Sequence, residues 1–116
     1  MMRRICRSAM LVFGLGLLLG APVLSGSALA AANPHVSEAV EHARGAASHG
    51  KEGHADACVQ HAEEALKHAM ASGAKNPHLD EGLKHLTEAV KHGKAGHAEA
   101  CTEHASGGAT HLAEVK

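Results

Sequence analysis

Tryptophan and tyrosine are missing from this 116-residue chain, and the one phenylalanine, Phe13, falls in its first thirty residues. Everything after that has no ring but imidazole with which to stack a base, a sugar or a haem, which argues against single-strand nucleic-acid binding. The first thirty residues in turn hold no Asp, Glu or His; all twelve histidines and all twelve acidic residues come later. Without Arg3, Arg4 and Arg7 the remainder carries 8 basic against 12 acidic residues, a net −4 that offers nothing to a polyanion. Long apolar runs are also lacking. Gly14, Gly16, Gly20 and Pro22 interrupt the only candidate well short of the roughly 20 residues a membrane span needs. Much of the hydrophobic content is alanine, and the whole is one small domain at most.

Residues 1–30 read as a secretory signal. Three arginines form the positive start, Leu11 to Leu19 a short apolar stretch, and Ala28-Leu29-Ala30 a small-x-small cleavage site. Cys6 precedes the apolar stretch and no cysteine stands at the cleavage point, which disfavours a lipid anchor. The expected mature protein, residues 31–116, is periplasmic or secreted, has no membrane attachment after cleavage, and meets conditions in which thiols are oxidised.

The mature part is a duplication. Asn33-Pro34-His35 returns as Asn76-Pro77-His78, His49-Gly50-Lys51 as His92-Gly93-Lys94, and Gly53-His54-Ala55 as Gly96-His97-Ala98, always 43 residues on. Pairing 33–73 with 76–116 gives 17 identities in 41 positions, among them six histidines and the pair Cys58 and Cys101. Within each copy the histidines recur every seven residues: 35, 42, 49; 54, 61, 68; 78, 85, 92; 97, 104, 111. Four triplets predict four helices. Asn before Pro34 and Pro77 suits an N-cap, and Gly50 and Gly93 are read as left-handed C-terminal residues. With His at heptad position g, Val36, Ala43, Ala55, Ala62, Leu79 and Leu86 fall at a. Ala39, Ala46, Cys58, Ala65, Ala89 and Cys101 fall at d, and Val40, Val59, Leu66, Leu83 and Val90 at e. Such a stripe belongs to core-facing helices, so the expected fold is all-α, a four-helix up-and-down bundle of two tandem αα-hairpins. The fourth helix, with Ser106-Gly107-Gly108, is the weakest former.

Imidazole is the commonest protein ligand for copper, nickel and zinc. Seven helical residues rise about 10.5 Å, too far for two histidines of one triplet to share an ion held at about 2 Å. Ligands must therefore come from separate helices. In an antiparallel pair, g can oppose g, giving the rungs His35/His68, His42/His61 and His49/His54, then His78/His111, His85/His104 and His92/His97. A bundle of the opposite hand would bring the stripes together between helices two and three and between four and one instead. Glu38, Glu64, Glu81 and Glu88 each precede a histidine by four residues and are candidate additional ligands or simple surface partners. Cys58 and Cys101, inside His-x-x-x-Cys-x-x-His runs, could ligate, fill the core or form a disulfide. Neither the Glu-x-x-His pairs of di-iron bundles nor His-Glu-x-x-His occurs, so no enzyme is expected.

The heptad His-Val-Ser-Glu-Ala-Val-Glu-His (35–42), the Glu-His-Ala tracts and the Gly-Lys-Glu-Gly-His turn after an export signal together resemble the small metal-binding protein family of ammonia-oxidising bacteria. The resemblance covers the mature chain and implies a periplasmic bundle that binds several divalent metals, copper prominently, in scavenging or tolerance. The two cysteines depart from it. The expected function is metal buffering with Cu(II) foremost, then Ni(II) and Zn(II), by a monomer whose partners are metal ions. The alternative is a structural or partner-binding bundle whose histidines form a pH switch.

Overall fold

The computed structural model describes residues 33–116; the export signal expected at 1–30 lies outside the described residues. The helices are α1 (Pro34–Lys51), α2 (Ala55–Ala71), α3 (Pro77–Lys94) and α4 (Ala98–Ala113). α1 and α3 start as their Asn-Pro pairs dictate. The Asn33 and Asn76 side chains accept from the backbone N–H of His35 and His78 at 3.0 and 2.8 Å, and each proline takes the first turn, where its missing N–H is no loss. Asn33 Nδ2 also donates to the Ser72 carbonyl at 2.9 Å, fastening the start of α1 to the end of α2. Short turns send successive helices in opposite directions. α1 packs on α2 and α4, and α3 on the same two, while α2 and α4 touch across the diagonal. This is the expected four-helix bundle.

The ends of α1 and α3 correct the reading of their glycines. Gly50 and Gly93 lie inside the helices, which run on to Lys51 and Lys94, and the left-handed residues are Gly53 and Gly96, each at φ 82°. The reason is packing between hairpins. A Cβ on Gly50 would strike the Thr102 hydroxyl on α4, and one on Gly93 the Val59 side chain on α2. Gly108 has a similar role. Its missing side chain admits Leu86, where a Cβ would come to 3.0 Å of Cγ, so the glycines that weaken α4 as an isolated helix let it fit against α3.

The core lies on the expected a, d and e stripe. Ala39, Ala43, Ala46, Ala62, Ala65, Ala69, Ala89 and Ala105 are fully buried, with Leu86 and Leu112 the largest buried side chains. Cys58 and Cys101 sit at its centre, fully buried and joined as a disulfide between α2 and α4 with Cα atoms 6.5 Å apart. Of the three roles open to these residues, ligation is therefore corrected. A disulfide sulfur has no thiolate to give a metal, and both sulfurs are sealed from the histidine face.

The disulfide closes a 43-residue loop, and the chain-entropy model assigns such a crosslink about 4 kcal/mol, mostly by restricting the unfolded chain. Replacing both cysteines with alanine is expected to cost about 2–4 kcal/mol of unfolding free energy in urea titrations while the helical circular dichroism of the folded state stays unchanged.

Candidate metal centre

The histidines face away from the core along the seam of each hairpin. His35, His54, His78 and His97 at the ends are exposed, and the other eight are half-buried. All six expected rungs form, within hairpins and not between them. Ring centroids are 6.0 Å apart in His35/His68, 5.7 Å in His42/His61 and 6.3 Å in His49/His54. In the second hairpin the values are 6.0 Å for His78/His111, 5.7 Å for His85/His104 and 6.1 Å for His92/His97.

Rungs are only half of the arrangement. Diagonal neighbours stand closer and more nearly parallel: His42/His68 at 5.3 Å, His49/His61 at 5.0 Å, His85/His111 at 5.3 Å and His92/His104 at 5.2 Å, all within 18° of coplanar. Each hairpin thus carries one unbroken zigzag of six imidazoles. Sequence reasoning paired g with g and missed the diagonals, because the stagger between facing helices depends on how the turn sets their register.

Two small residues leave room for this stacking. A Cβ on Gly107 would lie 2.9 Å from His85 Nδ1, and one on Gly45 would lie 3.3 Å from His61 Nδ1. Opposite each stands a glutamate, Glu64 facing the first zigzag and Glu88 the second. His42, Gln60, His61, Glu63 and Glu64 line a hollow of about 330 Å³ at the middle of the first zigzag.

Carboxylates cap three of the four ends. Glu38 Oε2 lies 2.8 Å from His68 Nδ1 and 3.8 Å from His35 Nδ1. Glu52 Oε2 lies 3.4 Å from His54 Nδ1 and 3.8 Å from His49 Nδ1. Glu114 Oε2 lies 2.9 Å from His78 Nδ1, and His111 completes that group. In each of the three, two imidazoles and a carboxylate offer donor atoms all within 4.8 Å of one another. Glu38 was anticipated, whereas Glu52 and Glu114 were not. They lie outside the heptad register, at the C-terminal caps of α1 and α4. The usable signal was their position three residues after a triplet's last histidine.

Glu64, Glu81 and Glu88 are held by lysines three residues on, at 2.7 Å (Lys67), 2.6 Å (Lys84) and 3.4 Å (Lys91). A permanent cation draws a carboxylate more strongly than a neutral imidazole does. The hydrogen bond from Lys67, and then its charge, hold Glu64 below the usual carboxylate range, and Lys84 does the same for Glu81. Glu88 keeps a second, longer approach to His92, at 3.9 Å.

The donor geometry fits a cation. His42 Nδ1 and His61 Nδ1 are 3.4 Å apart. Two nitrogens bound at about 2.0–2.1 Å to a tetrahedral ion stand roughly 3.3–3.4 Å from each other. His49 Nδ1 and His111 Nδ1 are covered and have no hydrogen-bond partner, a condition that costs about 1–3 kcal/mol per group unless something accepts the lone pair or the proton.

A helical bundle with paired imidazoles along its outer seams and carboxylates at their ends has the donor set of a metal-binding protein. Comparison by sequence agrees: the family model described as small metal-binding protein matches residues 9–115. The chain belongs to that family. No curated protein matches it.

Burial, then the neighbouring His49 and His42, push the His61 pKa below its ordinary value of 6.5, with Glu64 opposing. The unfolded chain then binds protons at this site more readily than the folded one, so stability is complete above pH ~6.5 and declines as pH falls through the depressed folded value. We expect the His61 Hε1 resonance to titrate below 6.5. We also expect unfolding free energy to fall with acid, with a smaller slope in His61→Asn.

Proposed function

We propose that this protein buffers divalent transition metals outside the cytoplasm, holding several ions at once on the two histidine zigzags without performing chemistry on them. The observation that carries the reading is the recurrence of one geometry. Twelve imidazoles, all in one heptad register, stand within 6.3 Å of a partner ring on the facing helix, and three pairs have a carboxylate beside them. The rungs would supply two nitrogens each, and Glu38, Glu52 and Glu114 would supply an oxygen at three of them. Water would fill the remaining positions, since the rings lie at the surface. Neutral nitrogen donors favour Cu(II) over Ni(II) and Zn(II) by the Irving–Williams order and leave Ca(II) and Mg(II) aside.

Location in the periplasm or outside the cell rests on the leading segment, and a disulfide in the core suits an oxidising compartment. No helix among the described residues is long and apolar enough to cross a membrane.

Calorimetric titration with Cu(II) at pH 7 and pH 5 tests the reading. Protons compete for the same nitrogens, so affinity should fall at least tenfold at pH 5, and unchanged affinity would sink imidazole ligation. Saturating Cu(II) or Zn(II) should also raise the thermal midpoint, because the sites exist only in the folded chain.

The two hairpins differ at one end. Ala95 stands where the first copy has Glu52, with almost the same backbone conformation, φ −81° and ψ 0° against φ −79° and ψ −1°. Ala95→Glu should therefore complete a fourth carboxylate-capped pair at His92/His97 and tighten Zn(II) binding there. Glu52→Ala should weaken His49/His54 by a similar factor, on the order of tenfold for one charged ligand. Histidine-resolved NMR during Zn(II) titration would read both.

A further inference from the structure

We propose that each zigzag is a track along which a bound divalent ion moves from one end of the bundle to the other by exchanging one imidazole at a time. This rests on the reading of the histidines as metal ligands and adds how the ions travel.

The observation is that no interior histidine belongs to one pair. His61 stands 5.7 Å from His42 and 5.0 Å from His49, and His42 in turn stands 5.3 Å from His68. The second hairpin repeats this with His104 between His85 and His92, at 5.7 and 5.2 Å. Rungs and diagonals involve the same rings at nearly equal separations, but the diagonal rings are stacked face to face, so one of them must turn about its side-chain bonds to aim a nitrogen at an ion held by the other. With such turns a chain of six rings would offer five overlapping two-histidine positions, adjacent ones always sharing one ring.

Sharing sets the pathway. Histidines on one helix are about 10.5 Å apart along its axis, and the facing helix places a ring between them, so neighbouring positions are separated axially by roughly 5 Å. An ion between His42 and His61 reaches the next position by releasing His42 and taking His49 while His61 stays bound. His49 has no hydrogen bond at Nδ1 to break before it turns. Each step replaces one metal–nitrogen bond with another, moves no electron, and never leaves the ion to water alone. Dissociation into solvent must break every bond to protein, so transfer along the track is the faster event.

The ends mark where an ion rests. α1 and α3 begin, and α2 and α4 finish, at one end of the bundle, so the Glu38 and Glu114 clusters both lie there. At the far end the first track has a second two-histidine carboxylate cluster, with Glu52, whereas the second track has only Glu88, paired with Lys91 and 3.9 Å from His92. Ions on the second track should thus collect at His78/His111/Glu114, and ions on the first should divide between its two ends.

The test uses the whole processed chain with its disulfide intact and half an equivalent of Zn(II), which is diamagnetic. Histidine Hε1 and Hδ2 resonances report each ring. The six rings of a track should shift together as one exchanging set, at a rate unchanged by tenfold dilution of the protein. In His42→Ala/His61→Ala the remaining pairs on that track lie about 21 Å apart, a gap no single exchange crosses. Exchange between the Glu38 and Glu52 clusters should then slow at least tenfold, while the second track averages as before and circular dichroism shows an intact bundle.

Separate free and bound resonances confined to one pair in the parent protein would overturn the track and leave metal binding standing. So would averaging that slows in proportion to dilution, or averaging that survives the double substitution. No shift in any histidine would overturn both the track and the reading it rests on.

Discussion

The close approach of the helices is the constraint on which the rest depends. Interaxial distance in a bundle is set by the side chains between the helices, and here those are mostly alanine, with glycine at the tightest points. A core of leucines at the same positions would push the helices apart, and imidazoles on their flanks would lose one another. The sparse hydrophobic content that makes the core look weak is thus what lets rings on facing helices come to 5–6 Å. The disulfide between α2 and α4 then supplies stability that so small a core is poorly equipped to give.

The duplication has a geometric consequence. Cys58 and Cys101 occupy equivalent positions in the two copies, so the bond between them lies where the two hairpins meet across the pseudo-twofold relation that joins them. Gly50 on α4 and Gly93 on α2 are likewise equivalent contacts made once in each direction. The copies differ at many core positions, Ala43 against Leu86 and Ala69 against Leu112 among them, and at a few beside the metal face. Gly45 and Glu64 in the first become Glu88 and Gly107 in the second, so each zigzag keeps one glycine that admits a ring and one glutamate opposite it, on exchanged helices. Glu52 against Ala95 is a divergence without such an exchange, and it leaves the His92/His97 pair without a carboxylate at the helix cap.

Much of this was legible in the sequence. Seven-residue spacing fixes both the number of helices and the face each presents, and Asn-Pro marks two helix starts with a hydrogen-bonding reason. The glycines misled because Gly50 and Gly53 both satisfy the rule for a helix end. Only the neighbouring hairpin, absent from any local reading, decides that Gly50 is a contact and Gly53 the left-handed turn. The cysteines were undecidable for the same reason, since their fate depends on a helix 43 residues away. Glu52 and Glu114 escaped because side chains at a helix cap leave the heptad register that made the histidines visible. Glu64 and Glu81 satisfied the four-residue spacing to a histidine, but Lys67 and Lys84, three residues on, are the partners they take.

Fold and metal face use different residues of the same helices. Positions a, d and e make the core, and position g makes the zigzag, so a histidine can change without opening a cavity. Conversely, no histidine is part of the core cluster. Structural zinc sites differ, because there four protein ligands close around the metal and supply the folding free energy themselves. Here two nitrogens and at most one oxygen per pair leave coordination positions open at a surface where water and other ligands have access. A closed site would hold its ion more firmly and release it more slowly. Open and repeated sites of this kind would give up that firmness and gain capacity and exchange, the properties that the proposed buffering role calls for.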